Sequence, residues 1–158
     1  IAVTPSGDEP DEWLLNKLKG TLVGVAAVSA TGQITNHMKE AFDRERPNGA
    51  DGESFPSGHT SSSAVHTRLA FRNLQSIEMS DGARTTLDVG LHALTIGTSW
   101  ARIEAGWHYP ADTLFSMALG NFVASFINDA FMGVSSSDSS LALQPVEGGA
   151  VVRMHFRF

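Results

Sequence analysis

The chain has 158 residues, a net charge of −6 and no cysteine. Hydrophobic residues make up 42% and charged residues 18%, too apolar for disorder, and the length suffices for one domain with a buried core. The acidic balance argues against a nucleic-acid surface or a broad polybasic membrane patch, and the lack of cysteine removes disulfides and thiolate metal sites.

In chain order, residues 1–10 (IAVTPSGDEP) read as an extended arm. The chain starts at Ile1 with no leader-like segment, because Lys17, Lys19 and several acids interrupt the early region. A processed export signal or a cloned fragment would each account for the missing methionine. From Asp11 a helical pattern runs to Arg46, with breaks near Gly20 and Gly32, and Pro47 and NGADGE end it. A second helix starts at the PSGH of 56–59 and runs to about Gln75. A third is capped near Ser80–Asp81, and a fourth has Pro110 in its first turn.

Two stretches, Gly20 to Met38 and Thr113 to Asn128, are apolar and uncharged, but the first carries several polar side chains and the second is short for a membrane span. Both read as buried helices of a soluble bundle. After a polar linker (134–140), LALQPV and AVVRMHFRF flank Glu147-Gly148-Gly149 and read as a β-hairpin over 141–158 that can pack on the bundle or pair with a second copy. The expected architecture is therefore mainly α: one domain over 1–158, a multi-helix bundle over 11–133 with a small C-terminal hairpin.

Three segments can carry chemistry. In KEAFDRERP, Lys39 and Arg46 are seven residues apart, close to two helical turns, so in a helix both cations project from nearly one face. The plain alternative is a solvated stripe, with Asp43 spaced to pair with either. In FPSGH, a helix start presents unpaired N–H groups and the positive end of the helix dipole. Ser57 adds a hydroxyl, Gly58 leaves the backbone open to an anion, and His59 can donate or accept a proton. An ordinary capped helix with an exposed histidine fits as well. His66, seven residues on, reads as core or surface.

In WARIEAGWHYPAD, His108 and Asp112 stand at i and i+4, a spacing at which a carboxylate can fix an imidazole as base or nucleophile. A structural His–Asp pair is the alternative. Arg102 supplies a planar fork suited to an oxyanion. Phe55, Trp100, Trp107 and Tyr109 flank these segments, either as core or as an apolar entrance for a lipid tail.

Taken together, Lys39-x6-Arg46-Pro47, Pro56-Ser57-Gly58-His59 and Arg102-x5-His108-x3-Asp112 resemble the three-part signature of the type 2 phosphatidic acid phosphatase superfamily. It includes lipid phosphatases, bacterial acid phosphatases and vanadium-dependent haloperoxidases. One departure is Ala101, where the third motif usually has serine before its arginine. The resemblance implies a helical bundle of the acid phosphatase and haloperoxidase type. It implies that Lys39, Arg46, Ser57, Gly58 and Arg102 hold the phosphate, that His108 attacks phosphorus, oriented by Asp112, and that His59 protonates the leaving group and then activates water. No metal or resident cofactor is implied; phosphate or vanadate can fill the site. The partners expected are a phosphate ester, from a lipid or a small soluble molecule, and peripheral contact with a membrane, in the bacterial periplasm or cell envelope. A vanadate-dependent haloperoxidase and a non-catalytic phosphate-binding domain are the competing readings.

Overall fold

The structure is a computed structural model that describes residues 10–132, 139–146 and 149–156, with side chains from 13 to 132. The chain is mainly helical: α1 (Pro10–Phe42), α2 (Gly58–Leu74), α3 (Asp81–Glu104) and α4 (Pro110–Met132). Beyond them β1 (Ser139–Val146) and β2 (Gly149–Phe156) pair antiparallel, with Ser139 opposite Phe156 and Val146 opposite Gly149. Most of the arm expected over 1–10 and of the linker over 134–140 lies outside the described residues, as do Glu147, Gly148 and the last two residues.

The starts of three helices follow local chemistry. Ser57 and Ser80 sit in extended backbone at the N-caps of α2 and α3, and their hydroxyls accept from Thr60 N and Ala83 N. Pro110 opens α4, where a missing N–H does no harm. α1 departs from expectation twice. It continues unbroken through Gly20 and Gly32, and it stops at Phe42 rather than Arg46. Asp43 takes a left-handed φ of 41° and its N–H bonds back to the Lys39 carbonyl at 3.0 Å, which closes the last turn.

α2 lies at the centre, against α1, α3 and α4, while α3 meets α4 less extensively. The closest approach is between α2 and α4: a Cβ on Gly120 would stand 2.5 Å from the Ser61 carbonyl and 2.7 Å from Ala64 Cβ. Only a glycine lets these backbones meet so closely. The innermost cluster is Ala27, Val65 and Ala124, flanked by Val28, Leu69 and Ile127. Around it are buried hydroxyls. Thr35 and Ser61 meet at 3.1 Å, Thr67 and Thr95 at 2.9 Å, and Ser99 bonds to the Thr95 carbonyl at 2.9 Å. At the far end Arg72 pairs with Asp129 at 2.8 Å.

α1 and α4 are not buried helices. α1 hides Val23, Ala27, Thr31 and Thr35, one residue per turn, and leaves Leu14, Leu15, Leu18, Leu22 and Val25 exposed. α4 exposes Leu114, Phe122 and Phe131; it is long and apolar enough to cross a membrane, and 33% of its most apolar stretch is buried. α3 likewise exposes Val89, Leu94, Ile96 and Trp100. The physical reason is arithmetic of neighbours: α1 has two helices to pack against, so an all-round apolar sequence finds cover on one stripe only.

Candidate active site

The loop between α1 and α2 is folded back on itself. The Ser54 N–H bonds to the Arg44 carbonyl at 2.9 Å, and Arg46 N–H to the Asp51 carbonyl at 3.0 Å. Asn48 N–H reaches the Gly106 carbonyl at 3.1 Å, which ties this loop to the α3–α4 connection. Lys39 rides on the last turn of α1, whereas Arg46 is carried by the loop, four residues past the helix end. The two cations therefore converge by a turn in the chain and not, as the spacing implied, by sharing a helical face. Asp43 takes neither of them: Lys39 meets Glu53, and Arg46 meets Asp51 and Glu53.

At the start of α2, Ser57 is fully buried, and its N–H is held by the Ser116 hydroxyl at 2.7 Å. Its oxygen accepts from Thr60 N–H at 3.4 Å, which leaves the hydroxyl proton free to be donated. Gly58 is the first helical residue, and a Cβ there would meet nothing closer than Thr35 Cγ2 at 3.8 Å, so no protein neighbour demands a glycine. The first turn of α2 contains no acid, so its positive end has no local carboxylate. His59 is exposed and makes no hydrogen bond among the described residues. His66 points elsewhere and bonds to the Ser62 carbonyl.

His108 is buried, and its Nδ1 lies 2.6 Å from the Ser54 carbonyl. A carbonyl only accepts, so Nδ1 carries the proton and Nε2 presents a lone pair in the neutral ring. This corrects the direct His108–Asp112 pair. The i,i+4 spacing requires both residues to be helical, and α4 begins only at Pro110. Asp112 instead accepts from Tyr109 N–H at 2.9 Å, from the Ser54 hydroxyl at 2.5 Å, and from Arg44 Nη1. Ser54 is thus the link, with its hydroxyl on Asp112 and its carbonyl on His108. Arg44 also lies over the Tyr109 ring, 4.4 Å from the centroid.

The indole of Trp107 serves two cations, with Arg46 4.7 Å and Arg102 5.3 Å from its centroid. Arg102 has a buried Nε without a hydrogen-bond partner, and burial, then the nearby Arg46 charge, pulls its pKa down. The fields of the cations overlap at both imidazoles. Although His59 is exposed, its pKa is lowered first by partial desolvation of the ring and then by Arg102, Lys39 and Arg46. That of His108 is lowered by burial, opposed by the Ser54 carbonyl bond, and lowered further by Lys39, Arg102 and Arg46. Cations from α1, the α1–α2 loop and α3 thus act on histidines of α2 and of the α3–α4 connection.

Sequence reasoning missed Arg44, Ser54, Glu53 and the double role of Trp107. Arg44 stands two residues before Arg46, and Ser54 two before Pro56, so their nearness to the motifs was the available signal. Of the flanking aromatics Trp100 and Tyr109 are exposed, whereas Phe55 and Trp107 are half-buried, Phe55 edge-on against Phe42 and beside Phe115.

None of the curated proteins and none of the solved structures compared matches this chain. A family model, described as the PAP2 superfamily, matches residues 31–133, the larger part of the chain and all three motif segments. With its cations, helix start and two histidines gathered as described, the chain belongs to the PAP2 superfamily, whose members are in general phosphatases and phosphoester hydrolases.

Proposed function

We propose that the protein is a metal-independent phosphatase that hydrolyses the phosphate monoester of a lipid through a phosphohistidine on His108. The observation that carries this reading is the His108–Ser54 bond. It places the proton on Nδ1, holds the ring in a buried site, and leaves Nε2 as a nucleophile under the field of three cations. Nε2 attacks phosphorus, the bond to the leaving alkoxide breaks, and His59 gives that oxygen a proton. Water then attacks the phosphohistidine as His59 takes up a proton, and phosphate departs. Lys39, Arg46 and Arg102, with the Ser57 hydroxyl and the N-terminal N–H groups of α2 at Gly58, balance the charge on the transferring group. Among the described residues no group of three or more His, Asp or Glu is placed to hold a metal ion.

His59 must be protonated for its first task, yet the free site holds its pKa down. Desolvation is the first cause, and the charges of Arg102, Lys39 and Arg46 add to it. A phosphate dianion neutralises those charges, so substrate binding offsets that part of the shift and moves the imidazole back toward its acid form. The lipid half of the reading rests on the exposed Leu, Phe and Trp side chains of α1, α3 and α4, far more apolar surface than a water-soluble ester requires. A bacterial cell-envelope location accords with it.

The test is phosphate release from p-nitrophenyl phosphate in EDTA, with an acid-labile phosphate adduct on His108 that His108→Ala lacks. Full turnover by the alanine variant would falsify the nucleophile assignment. Rates on a lipid phosphate in mixed micelles should exceed those on a short soluble ester; equal kcat/KM on both removes the lipid half.

A further inference from the structure

Two of the three cations assigned to the phosphate already hold an anion. Glu53 Oε2 lies 3.3 Å from Lys39 Nζ and 3.6 Å from Arg46 Nη2, one carboxylate bridging both. The side chains of Lys39 and Arg46 are 15% and 11% exposed, whereas that of Glu53 is 63% exposed. Its backbone is pinned: the N–H bonds to Asp51 Oδ1 at 2.8 Å, the carbonyl accepts from Lys39 Nζ at 2.8 Å, and the residue bridges to Arg44. The carboxylate is therefore an arm on a fixed shoulder, able to swing into solvent while its backbone stays in place. Arg102 has no carboxylate partner among the described residues, and the first turn of α2 has no acid. An incoming oxyanion finds Arg102 and the helix start open, and must take from Glu53 both Lys39 and the Nη2 side of Arg46, whose Nε faces Asp51 at 2.8 Å.

We propose that Glu53 is an internal competing anion, which yields the clamp to the phosphate group and reclaims it as product leaves. The inference rests on the phosphatase reading of the same site. Because the carboxylate competes with substrate, transition state and product alike, it weakens binding without being needed for the chemical step. Its net effect is a cage that lets inorganic phosphate go. The opposite role, a brace that aims Lys39 and Arg46 at the substrate, predicts the opposite sign.

The experiment compares full-length wild type with Glu53→Gln and Glu53→Ala, using p-nitrophenyl phosphate as substrate and inorganic phosphate as competitive inhibitor. Both variants should show KM and the phosphate inhibition constant lowered together by about fivefold, the scale of one partly exposed ion pair. Unchanged or raised constants in both variants overturn the proposal and leave Glu53 a rim charge or a brace. A wild type that neither turns over substrate nor binds phosphate refutes the phosphatase reading instead.

Discussion

The bridge through Ser54 makes a prediction that a direct His108–Asp112 contact does not. Asp112 is fully buried and satisfies the Ser54 hydroxyl, the Tyr109 N–H and one nitrogen of Arg44. Asp112→Ala strands the buried Ser54 hydroxyl and the half-buried Tyr109 N–H at about 1–3 kcal/mol each, and the Arg44 bond is discounted because that side chain is 43% exposed. A loss of about 4 kcal/mol follows, which for a chain of this size lowers Tm by roughly 8–16 °C in a calorimetric or dichroism melt. Activity separates the geometries. Ser54→Ala keeps the carbonyl that faces His108 but removes the hydroxyl that ties the residue to Asp112. It should lower kcat by ~10–100-fold with KM little changed, as should Asp112→Asn, since small displacements of a nucleophile carry penalties of that order. Because both act through one linkage, the double variant should be no worse than the poorer single one. Steady-state phosphate release on all four proteins decides it. Wild-type kcat in Ser54→Ala, beside a loss of ~10⁴ in Asp112→Asn, would mean that the carboxylate touches the imidazole directly and would refute the reasoning.

Arg102→Ala should lower turnover at least ~100-fold, the scale of one oxyanion donor, because its buried Nε is unpartnered; a wild-type rate removes it from the site. Binding of sulfate, a constant dianion in this range, should be accompanied by proton uptake near neutral pH, because the anion offsets the charges that depress His59 and His108. Calorimetric titration in buffers of different ionisation enthalpy measures it, and a zero proton count sinks the electrostatic account. In the free protein both folded pKa values lie below the ordinary 6.5, so their contribution to stability is intact above pH 6.5 and declines as pH falls through the folded values. Melting temperatures across that range should fall on the acid side only for this pair, and less so in His108→Asn. Gly120→Ala should destabilise by about 1–3 kcal/mol, since the new methyl meets the Ser61 carbonyl and Ala64, and an unchanged Tm would show that the helices can separate freely.

Much of the scaffold was legible because caps are local chemistry. Ser57, Ser80 and Pro110 announce helix starts within a few residues of themselves, and α2, α3 and α4 begin there. The end of α1 was not, because Asp43 adopts its left-handed backbone in company with Gly52, whose missing side chain leaves room for the Asp43 carboxylate. That contact spans a loop and has no periodicity to read. The same holds within the site. Types and order of the charged residues were visible, but Ser54 engages through its backbone carbonyl, a group every residue possesses and no sequence advertises. The burial of the helices was misjudged for a related reason: composition says which side chains are apolar, not how many neighbours exist to cover them.

The hydroxyl-lined interior bears on how the molecule melts in water. Its fully buried apolar side chains, among the described residues, are nothing larger than valine, while Leu14, Leu22, Leu114, Phe122 and Phe131 already face outward. Unfolding then hydrates little new hydrocarbon, so the heat-capacity step should fall short of the usual 12–15 cal/mol/K per residue, roughly, and the stability curve should be broad and shallow. Such a chain resists cold as readily as heat, held by orientation-specific pins that lose little strength when the temperature drops.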